Sequence, residues 1–449
     1  FLAQAGADVT VTDLRSARQL SSAIEDLADL PQIRFVLESH PESLFGECDL
    51  LVVNPAIRPD HPLVQFARER GALITTEIDL FLRNCPASIV AVTGTNGKST
   101  TSALISHLLR SCDQKIGRRT WLGGNIGISL LSDLPQIQAK DIVVLELSSF
   151  QLEFLRHQAF APDIAVITSF SPNHLDWHRD LAEYQSAKQV LLNSQTREQW
   201  AILPEENSTE PPTESGWRVR GRCLRFGLKD HGESGAFLQS GQLILRREHP
   251  RLEEDAIRFR IPAQLPGPHN HRNLAAACAA AWLCHVPIDG IARAVASFEP
   301  LPHRLQLVAE KHGRRFYDDS IATTPESAIA ALQSFPSSIV LFAGGYDKKQ
   351  DLSALAGQIH RSVRVVGLMG ATADGLEWEL KQLQERSDSR FPIIVRGPDF
   401  GSVFRRTMKQ SQPGDTILLS PGCASFGWFR DYRDRAEQYC RALDHWEDP

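Results

Sequence analysis

The sequence predicts an α/β protein with three domains. The chain has 449 residues, and at roughly 150 residues per domain about three are expected. Short apolar runs alternate with helical patterns along nearly the whole length, which is typical of doubly wound α/β domains. Two proline-containing joints, Leu80–Ser88 and Phe298–His303, interrupt this alternation. We therefore expect domains over residues 1–83, 84–300 and 301–449.

Ten apolar runs are the candidate strands of these domains. Several are unbroken, as expected of strands buried on both faces of a parallel sheet. Shorter alternating runs fill Cys223–Phe259 and predict a small antiparallel sheet inside the middle domain. The polar, proline-rich segment Glu205–Gly216 is typical of a surface loop. The ten runs are Ala7–Thr12, Leu50–Val53, Ala72–Ile74, Ser88–Thr93, Ile142–Leu147, Ile164–Ile167, Ile339–Ala343, Val363–Leu368, Ile393–Val395 and Thr416–Ser420.

The two outer domains are expected to be Rossmann-like. The opening segment, Phe1–Arg15, reads as a helix tail, a stop at Gly6 and a strand that ends at Asp13. In a doubly wound sheet such a strand follows a first strand, a Gly-rich turn and a helix. We therefore expect that roughly 15–25 residues of this domain are missing, the size of one β-turn-α unit. In the last domain, Phe342–Lys348 and Leu419–Ser425 are strand-to-loop transitions at the crevice edge of one sheet.

Composition excludes several classes of function. Hydrophobic residues make up 42% and charged residues 23%, so the chain is not mainly disordered. A net charge of −6 argues against a nucleic-acid coat or a polybasic membrane binder. No apolar run approaches the roughly 20 residues that cross a bilayer. The eight cysteines are scattered, which fits reduced thiols in a cytoplasmic protein.

The strongest local motif follows the apolar strand that begins at Ile89. Backbone N–H groups of such a turn and of the helix behind it point at anions. Lys98 can reach the β- and γ-phosphates of a nucleotide, and Ser99 or Thr100 can hold Mg²⁺. The motif is not a complete Walker A sequence, because its first glycine would have to stand at Val92. It predicts a P-loop-type ATPase domain, and the alternative is a tight turn with an exposed lysine. Its residues are Gly94, Thr95, Asn96, Gly97, Lys98, Ser99 and Thr100.

Two further motifs follow strands of the same predicted sheet. Glu146 lies near the end of a buried strand, where a carboxylate costs free energy unless it binds a cation or a donor. It is therefore a natural Mg²⁺ ligand, or else an acid at the start of the next helix, with Ser148 or Ser149 as the cap. His174 follows the next strand and is predicted to contact Mg²⁺ or phosphate. A zinc site with Asp176 and His178 is the alternative, although no helical run carries both histidines.

Polar residues near other helix starts are weaker candidates. Asn270 and Asn273 open an Ala-rich helix and can bond a ligand. Asp319 lies between a strand and a helix, where it can hold a ribose hydroxyl or simply cap the helix. Lys188 lies in a helical stretch, where a solvated surface lysine is the ordinary interpretation.

Together these motifs resemble those of the Mur ligase family of ATP-dependent amide-bond ligases. They follow the family's order over essentially the whole chain: GTNGKST, GGNIG, ELSSFQLE, NHLD, HN-x-x-N, LPHR, GGYDK and SPGCASF. The resemblance implies successive domains for a UDP sugar, for ATP and for an amino acid. ELSSFQLE, LPHRLQ and SPGCAS look most like the members that add glutamate to UDP-N-acetylmuramoyl-L-alanine in peptidoglycan precursor synthesis. It also implies an acyl-phosphate intermediate, and we expect a cytoplasmic monomer with no nucleic-acid or membrane partner.

The resemblance also implies roles for individual residues. Lys98, Glu146, His174 and Lys188 would be catalytic, with ATP and Mg²⁺ at two sites as cofactors. Ser99, Glu146, His174 and Lys188 would hold metal, because CO₂ would turn Lys188 into a carbamate with a carboxylate-like charge. The other implied contacts are Gly94, Thr95, Asn96, Gly97, Thr100, Asn270, Asn273, Arg304 and Asp319 for ATP, Asp13, Arg15 and Asn125 for the UDP substrate, and Thr323, Lys348, Ser425 and Tyr432 for the amino acid.

Some residues depart from the family pattern. Ile321 stands where a lysine is usual, Asn173 where an aspartate is usual, and Asn54–Ala56 where Ser-Pro-Gly is usual. Because Ile321 removes a cation from the amino-acid domain, D-glutamate, which the resemblance favours, and L-glutamate both stay open. Two other interpretations are a folylpolyglutamate synthase-like ligase and a catalytically inactive sugar-nucleotide sensor. The uracil-type first domain speaks against the former, and retention of Lys98 and Lys188 against the latter.

Overall fold

The computed structural model describes the chain except for residues 128, 175–176, 206–215, 230–231, 233, 240–241, 249–251, 259–260, 263–264, 336–337, 386–390 and 448–449. Asp176 and most of the predicted loop Glu205–Gly216 therefore lie outside the described residues. The chain divides into two compact units. Unit one comprises Phe1–Lys98, Asp113–Ile202 and Glu206–Cys223, and unit two comprises Ser99–Cys112, Leu203–Glu205 and Leu224–Pro449. In the part that is described, no helix combines the length and apolarity needed to cross a membrane.

Strands and helices alternate in the first part of unit one. Their bounds are Thr10–Asp13 (β1), Ser21–Glu25 (α1), Arg34–Leu37 (β2), Glu42–Gly46 (α2), Leu50–Val52 (β3), Pro62–Glu69 (α3), Leu73–Thr75 (β4) and Glu77–Asn84 (α4). β1 pairs with β2 and β3 pairs with β4, each pair in parallel. The sequence analysis does not predict β2, although its three apolar residues form a run as long as Ala72–Ile74.

The central strands run parallel in a fixed order. Their bounds are Ser88–Thr93 (β5), Thr120–Gly124 (β6), Ile142–Glu146 (β7), Ile164–Ile167 (β8) and Trp200–Pro204 (β9). The order across the sheet is β9-β8-β5-β7-β6. Every residue of β7 and β8 is buried, as the unbroken apolar runs predict. The helices of this part are Lys98–Ile116 (α5), Ser149–Phe154 (α6) and Leu181–Asn193 (α7), with a 3₁₀-helix at Leu131–Gln136.

This strand order brings three loops to one edge of the sheet. β5 lies between β7 and β8, and the pairing sets Val92 opposite Glu146 and Thr93 opposite Ile167. The carboxyl ends of the three strands are therefore level. Ligands of open α/β sheets bind in the crevice at such an edge, and the predicted phosphate motif begins there at Gly94.

A smaller set of strands lies mainly in unit two. Their bounds are Arg222–Gly227 (β10), Gly235–Gln239 (β11), Gln242–Glu248 (β12) and Leu252–Arg258 (β13). The predicted antiparallel pairing is confirmed for β11 with β12 and for β12 with β13, but it is wrong for β10, which pairs with β11 in parallel. The sequence could not show this, since alternation has the same period in both kinds of pair. The helices Pro268–Leu283 (α8) and Ile288–Ala296 (α9) follow.

The last part of unit two is a mostly parallel sheet with helices between its strands. Its bounds are Gln306–Lys311 (β14), Arg314–Asp318 (β15), Pro325–Leu332 (α10), Ile339–Gly345 (β16), Ser353–Ser362 (α11), Val363–Gly370 (β17), Ala373–Gln384 (α12), Ile393–Val395 (β18), Phe400–Met408 (α13), Thr416–Leu419 (β19) and Tyr432–Asp444 (α14). The order is β14-β15-β19-β16-β17-β18, with β14 antiparallel to β15. Leu341 and Phe342 belong to two different hydrophobic clusters, so both faces of β16 are buried. With these strands, all ten predicted runs are confirmed.

Phe342 is the residue with which we test the core of this sheet. Its side chain is fully buried and stacks on Phe404 with ring centroids 5.4 Å apart. Phe342→Ala should lower the free energy of unfolding by about 3–5 kcal/mol, because it leaves a cavity. Trp378→Ala, at a site 59% exposed, should change it by less than about 0.5 kcal/mol. Urea denaturation measures both, and equal stabilities of the two variants would contradict this core.

Candidate active site

The loop between β5 and α5 turns at two glycines. Gly94 has a φ of 147°, and a Cβ atom added there would lie 2.0 Å from Thr168 Oγ1 at the end of β8. Gly97 precedes α5 with a φ of 85°, a left-handed conformation that strains other residues. The strand-turn-helix arrangement predicted from the sequence is therefore confirmed, and the sequence Gly94–Gly97 is called the phosphate loop below.

The segment after β8 holds the phosphate loop by hydrogen bonds. The backbone N–H of Thr95 donates to Ser169 O at 2.9 Å, and that of Asn96 donates to Ser169 Oγ at 2.9 Å. Thr168 Oγ1 donates to Thr93 O at 3.1 Å. The N–H groups of Thr95 and Asn96 are thus engaged within the protein, so the prediction that the N–H groups of this turn point at an anion is wrong for these two residues. The N-terminal turn of α5 still offers N–H groups and the positive end of the helix dipole.

Two lysines converge on one carbonyl oxygen of this loop. Lys98 Nζ donates to Gly94 O at 3.0 Å and to Thr95 O at 2.8 Å. Lys188 Nζ donates to the same Gly94 O at 2.9 Å. The side chain of Lys188 is only 1% exposed, so its interpretation as a solvated surface lysine is wrong. Burial, and secondly the charge of Lys98, hold the pKa of Lys188 well below its ordinary value. Burial and the neighbouring positive charge both disfavour the ammonium form of Lys188.

Tyr184 is a residue of this site that sequence reasoning missed. It lies on α7 one helical turn before Lys188, and Lys188 Nζ lies 4.3 Å from the centroid of its ring. Its hydroxyl oxygen is 3.1 Å from Thr95 Oγ1. The spacing of four residues on one helix was the available signal, because such residues share a face.

Glu146 presents one bonded and one unbonded carboxylate oxygen at the end of β7. Its side chain is 2% exposed, and Oε1 accepts from Asn125 Nδ2 at 2.8 Å. Oε2 is buried without a hydrogen-bond partner among the described residues. Ser148, a cap that the alternative interpretation named, does cap α6 by accepting from Gln151 N, whereas the Glu146 side chain bonds Asn125 and not the start of that helix. A buried carboxylate oxygen without a donor is costly unless a cation binds it, so Glu146 fits a Mg²⁺ ligand. Asn125, predicted to contact the UDP substrate, lies directly against this carboxylate.

The two histidines after β8 pack in an aromatic cluster. The His174 ring lies 4.8 Å from that of Phe150 and 6.2 Å from that of Tyr184. His178 is 1% exposed and shares a hydrogen bond of 2.9 Å between Nε2 and Ser149 Oγ. Burial lowers the pKa of His178 to about 4. Among the residues that can be described, no three His, Cys, Asp or Glu side chains are grouped to hold a metal ion. A cation beside Glu146 would therefore need further ligands of another kind, such as a hydroxyl group, a bound molecule or a modified side chain.

In unit two, the predicted asparagines lie together at the start of α8. Asn270 and Asn273 are each 6% exposed. Asn270 Nδ2 donates to Pro266 O at 2.8 Å, and Asn273 Nδ2 donates to Asn270 Oδ1 at 3.5 Å. The side-chain amide of Asn270 thus orients the side-chain amide of Asn273.

Arg304 and Asp319 interact in the same unit. Asp319 Oδ2 accepts from Ser420 Oγ at 2.7 Å, and Oδ1 accepts from Leu305 N at 3.2 Å. Burial raises the pKa of Asp319 to about 7, although the Ser420 hydrogen bond and the charge of Arg304 act in the opposite direction. Arg304 Nε is buried and has no partner among the described residues. Its flanking residues, His303 and Leu305, both have left-handed φ values, of 63° and 44°.

The predicted amino-acid contacts lie on loops and helix starts of unit two. Ser425 is buried and Lys348 is exposed. Their loops meet where Tyr346 N donates to Ala424 O at 2.8 Å. Tyr432 begins α14, and its ring lies edge to face with that of His303 at 5.9 Å. Thr323 lies in the turn that follows β15, with its N–H 2.9 Å from Ile321 O.

Asp13 and Arg15 face each other just after β1. Arg15 donates from Nε to Asp13 Oδ1 at 3.0 Å and from Nη2 to Asp13 Oδ2 at 2.7 Å. The Arg15 hydrogen bonds lower the pKa of Asp13 to about 2. The two residues predicted to contact uracil therefore form one exposed, charged pair.

Comparison with known proteins agrees with these motifs. Residues 92–281 match the Mur ligase middle domain, and residues 303–423 match the Mur ligase, glutamate ligase domain. The UDP-N-acetylmuramoylalanine--D-glutamate ligase of Roseiflexus sp. (strain RS-1) is 40% identical over 99% of this chain and 94% of its own length. The protein of that name from Acetivibrio thermocellus is 37% identical over 98% and 91%.

A solved structure shows the same fold. The MurF ligase from Thermotoga maritima in complex with ADP superposes with a TM-score of 0.57 over 89% of this chain and 96% of its own, at 18% identity. The two domain matches cover more than half of the chain, and the relatives extend over nearly all of it. The chain belongs to the Mur ligase family.

Proposed function

We propose that the protein joins D-glutamate to UDP-N-acetylmuramoyl-L-alanine and converts ATP to ADP and phosphate. The observation that carries the proposal is the convergence of Lys98 and buried Lys188 on Gly94 O, in a loop beside Glu146. The names of the relatives support the choice of substrates. The reaction is a step in the synthesis of peptidoglycan precursors and belongs in the cytoplasm.

The proposed division of labour follows the three predicted domains. Residues 1–83 would bind the UDP sugar, residues 84–300 ATP and residues 301–449 the amino acid. Rossmann-like outer domains fit the parallel pairs β1-β2 and β3-β4 and the two-sided sheet around β16. Asp13 and Arg15 would recognise uracil, because the Arg15 guanidinium offers hydrogen-bond donors and the Asp13 carboxylate offers acceptors.

The chemistry proceeds by activation of a carboxylate. A carboxylate is a poor electrophile, so the alanyl carboxylate of the substrate first takes the γ-phosphoryl group of ATP. The amino group of glutamate attacks the resulting acyl phosphate, and phosphate leaves as the amide forms. Lys98 would leave the loop carbonyls and neutralise charge on the transferring phosphoryl group. Asn270, Asn273, Arg304 and Asp319 are proposed as further ATP contacts, alongside the backbone of the phosphate loop and Thr100.

Two Mg²⁺ ions fit the donor set of the site. Ser99 and the unpartnered Oε2 of Glu146 would hold one, and His174 with a carbamylated Lys188 the other. Bound Mg²⁺ supplies positive charge to the phosphate oxygens. Carbamylation needs a neutral amine: CO₂ adds to Lys188 Nζ, an N–C bond forms and one proton leaves. The lowered pKa of Lys188 supports that requirement.

The amino-acid site is proposed around the loops of Lys348 and Ser425. Lys348 would face a glutamate carboxylate and Ser425 would donate a hydrogen bond, with Thr323 and Tyr432 beside them. Ile321 offers no charge, so Lys348 carries more of the recognition than it would beside a second lysine. Enantiomers present the same groups in different directions, and an unmatched buried polar group is costly.

The activity assay tests the proposed function. The protein is mixed with ATP, Mg²⁺, UDP-N-acetylmuramoyl-L-alanine and either pure enantiomer of glutamate, and ADP release is measured. We expect release that requires the UDP substrate and a kcat/KM at least roughly tenfold higher for D-glutamate. A preference for L-glutamate would change the substrate but keep the chemistry. Turnover with a pteroate substrate would favour the folylpolyglutamate alternative, and binding without turnover would favour the inactive sensor.

Lys98 provides a direct test of the phosphate loop. Lys98→Ala should lower kcat by roughly 100-fold or more, because the lost charge acts on the transferring phosphoryl group. Lys115→Ala is the matched control, since Lys115 is an exposed lysine on the same helix. ADP release by both variants is compared at saturating substrates. Near-normal turnover of Lys98→Ala would refute the assignment of the loop.

Lys188 provides a test of the proposed carbamate. Lys188→Ala should lower kcat by roughly 100-fold, because the site loses an anionic ligand. Acetate or propionate added to the buffer should restore part of the activity, since a short carboxylate can occupy the space left by the side chain. Lys188→Arg should stay inactive with the same additives. A folded Lys188→Ala variant with full activity would contradict the role.

A further inference from the structure

Helix α7 touches the phosphate loop through two side chains. Lys188 Nζ donates to Gly94 O at 2.9 Å, and the Tyr184 hydroxyl lies 3.1 Å from Thr95 Oγ1. Residues four apart lie on one helix face. A single turn of α7 therefore holds two consecutive residues of the loop.

The hydrogen-bond pattern shows which hydroxyl donates. Thr95 Oγ1 donates to Ser171 O at 3.1 Å and accepts from Ser171 N at 3.0 Å. Because a hydroxyl has one proton, Tyr184 must be the donor to Thr95 Oγ1. Burial raises the pKa of Tyr184 to about 12, so the phenol keeps its proton at neutral pH. The Tyr184 bond thus completes the hydrogen bonding of the Thr95 hydroxyl.

The ring of Tyr184 is buried and held by two neighbouring side chains. It is 1% exposed and stacks against Phe170 with ring centroids 5.5 Å apart. Lys188 Nζ lies 4.3 Å from its centroid. The hydroxyl therefore cannot turn to another acceptor without repacking these neighbours.

The two contacts of α7 respond differently to CO₂. A carbamate on Lys188 is an anion that keeps only one N–H on Nζ, so the carbonyl oxygen of Gly94 repels its new carboxylate and the contact of the amine with Gly94 O is weakened. The bond from Tyr184 to Thr95 involves no charge on the lysine. We propose that Tyr184 is the positioning residue that keeps α7 on the phosphate loop once Lys188 is carbamylated. This inference rests on the carbamylation proposed above.

Tyr184→Phe tests the inference, because it removes the hydroxyl and keeps the ring. In buffer with bicarbonate, the Kd for ADP and the KM for ATP should rise roughly five-fold, as expected from one lost hydrogen bond. The KM for glutamate should not change. In CO₂-free buffer, where the unmodified amine of Lys188 still donates to Gly94 O, the Kd for ADP should rise less than roughly twofold. Isothermal titration calorimetry gives the Kd in both buffers.

Two further variants complete the experiment. In a Lys188→Met background, Tyr184→Phe should raise the Kd for ADP roughly five-fold in both buffers, because the lysine contact is absent in both. Tyr439→Phe is the matched control: Tyr439 is a fully buried tyrosine whose hydroxyl donates to Ile417 O in the last sheet. It should leave the Kd for ADP unchanged in both buffers.

The outcomes separate this inference from the proposed function. If the unchanged protein binds no ADP, the proposed function fails. If it binds ADP and Tyr184→Phe binds equally well in bicarbonate, the inference is overturned. The inference would also be overturned if Tyr184→Phe, in an otherwise unchanged protein, raised the Kd for ADP equally in both buffers. That result would show a general structural role with no link to the state of Lys188.

Discussion

The site depends on one constraint: two lysine side chains donate to the same carbonyl oxygen of Gly94 in a buried place. The positive charge of Lys98 disfavours the ammonium form of Lys188. Lys188 is the more deeply buried, so its proton is the one released more easily. Burial and like charge together favour the neutral amine that the proposed reaction with CO₂ requires.

The parallel sheet creates this constraint. Because β5 lies between β7 and β8, Gly94 follows directly on a strand whose neighbours end level with it. Thr168 leaves no room for a side chain at Gly94, and Ser169 bonds the next two residues of the loop. The loop is thus rigid before any ligand binds, which favours catalysis because little reorganisation remains.

Sequence reasoning succeeded where the signal is local. The apolar runs predicted ten strands that the structure contains, and the glycines at positions 94 and 97 predicted the turn before Lys98. It failed where tertiary contacts decide. The burial of Lys188 and the role of Tyr184 depend on how α7 packs against a loop that lies about 90 residues earlier. A single sequence likewise does not show that Ser169 accepts from the Asn96 N–H, or that β10 pairs in parallel.

The central claim is that CO₂ modifies Lys188, and ¹³C NMR tests it most directly. The protein is incubated with ¹³C-bicarbonate, Mg²⁺ and ADP, and the carbonyl region is recorded for the unchanged protein, for Lys188→Met and for Lys98→Met. The account predicts a carbamate signal in the unchanged protein and in Lys98→Met that is absent in Lys188→Met. A carbamate signal that persists in Lys188→Met, or none in the unchanged protein, would contradict it.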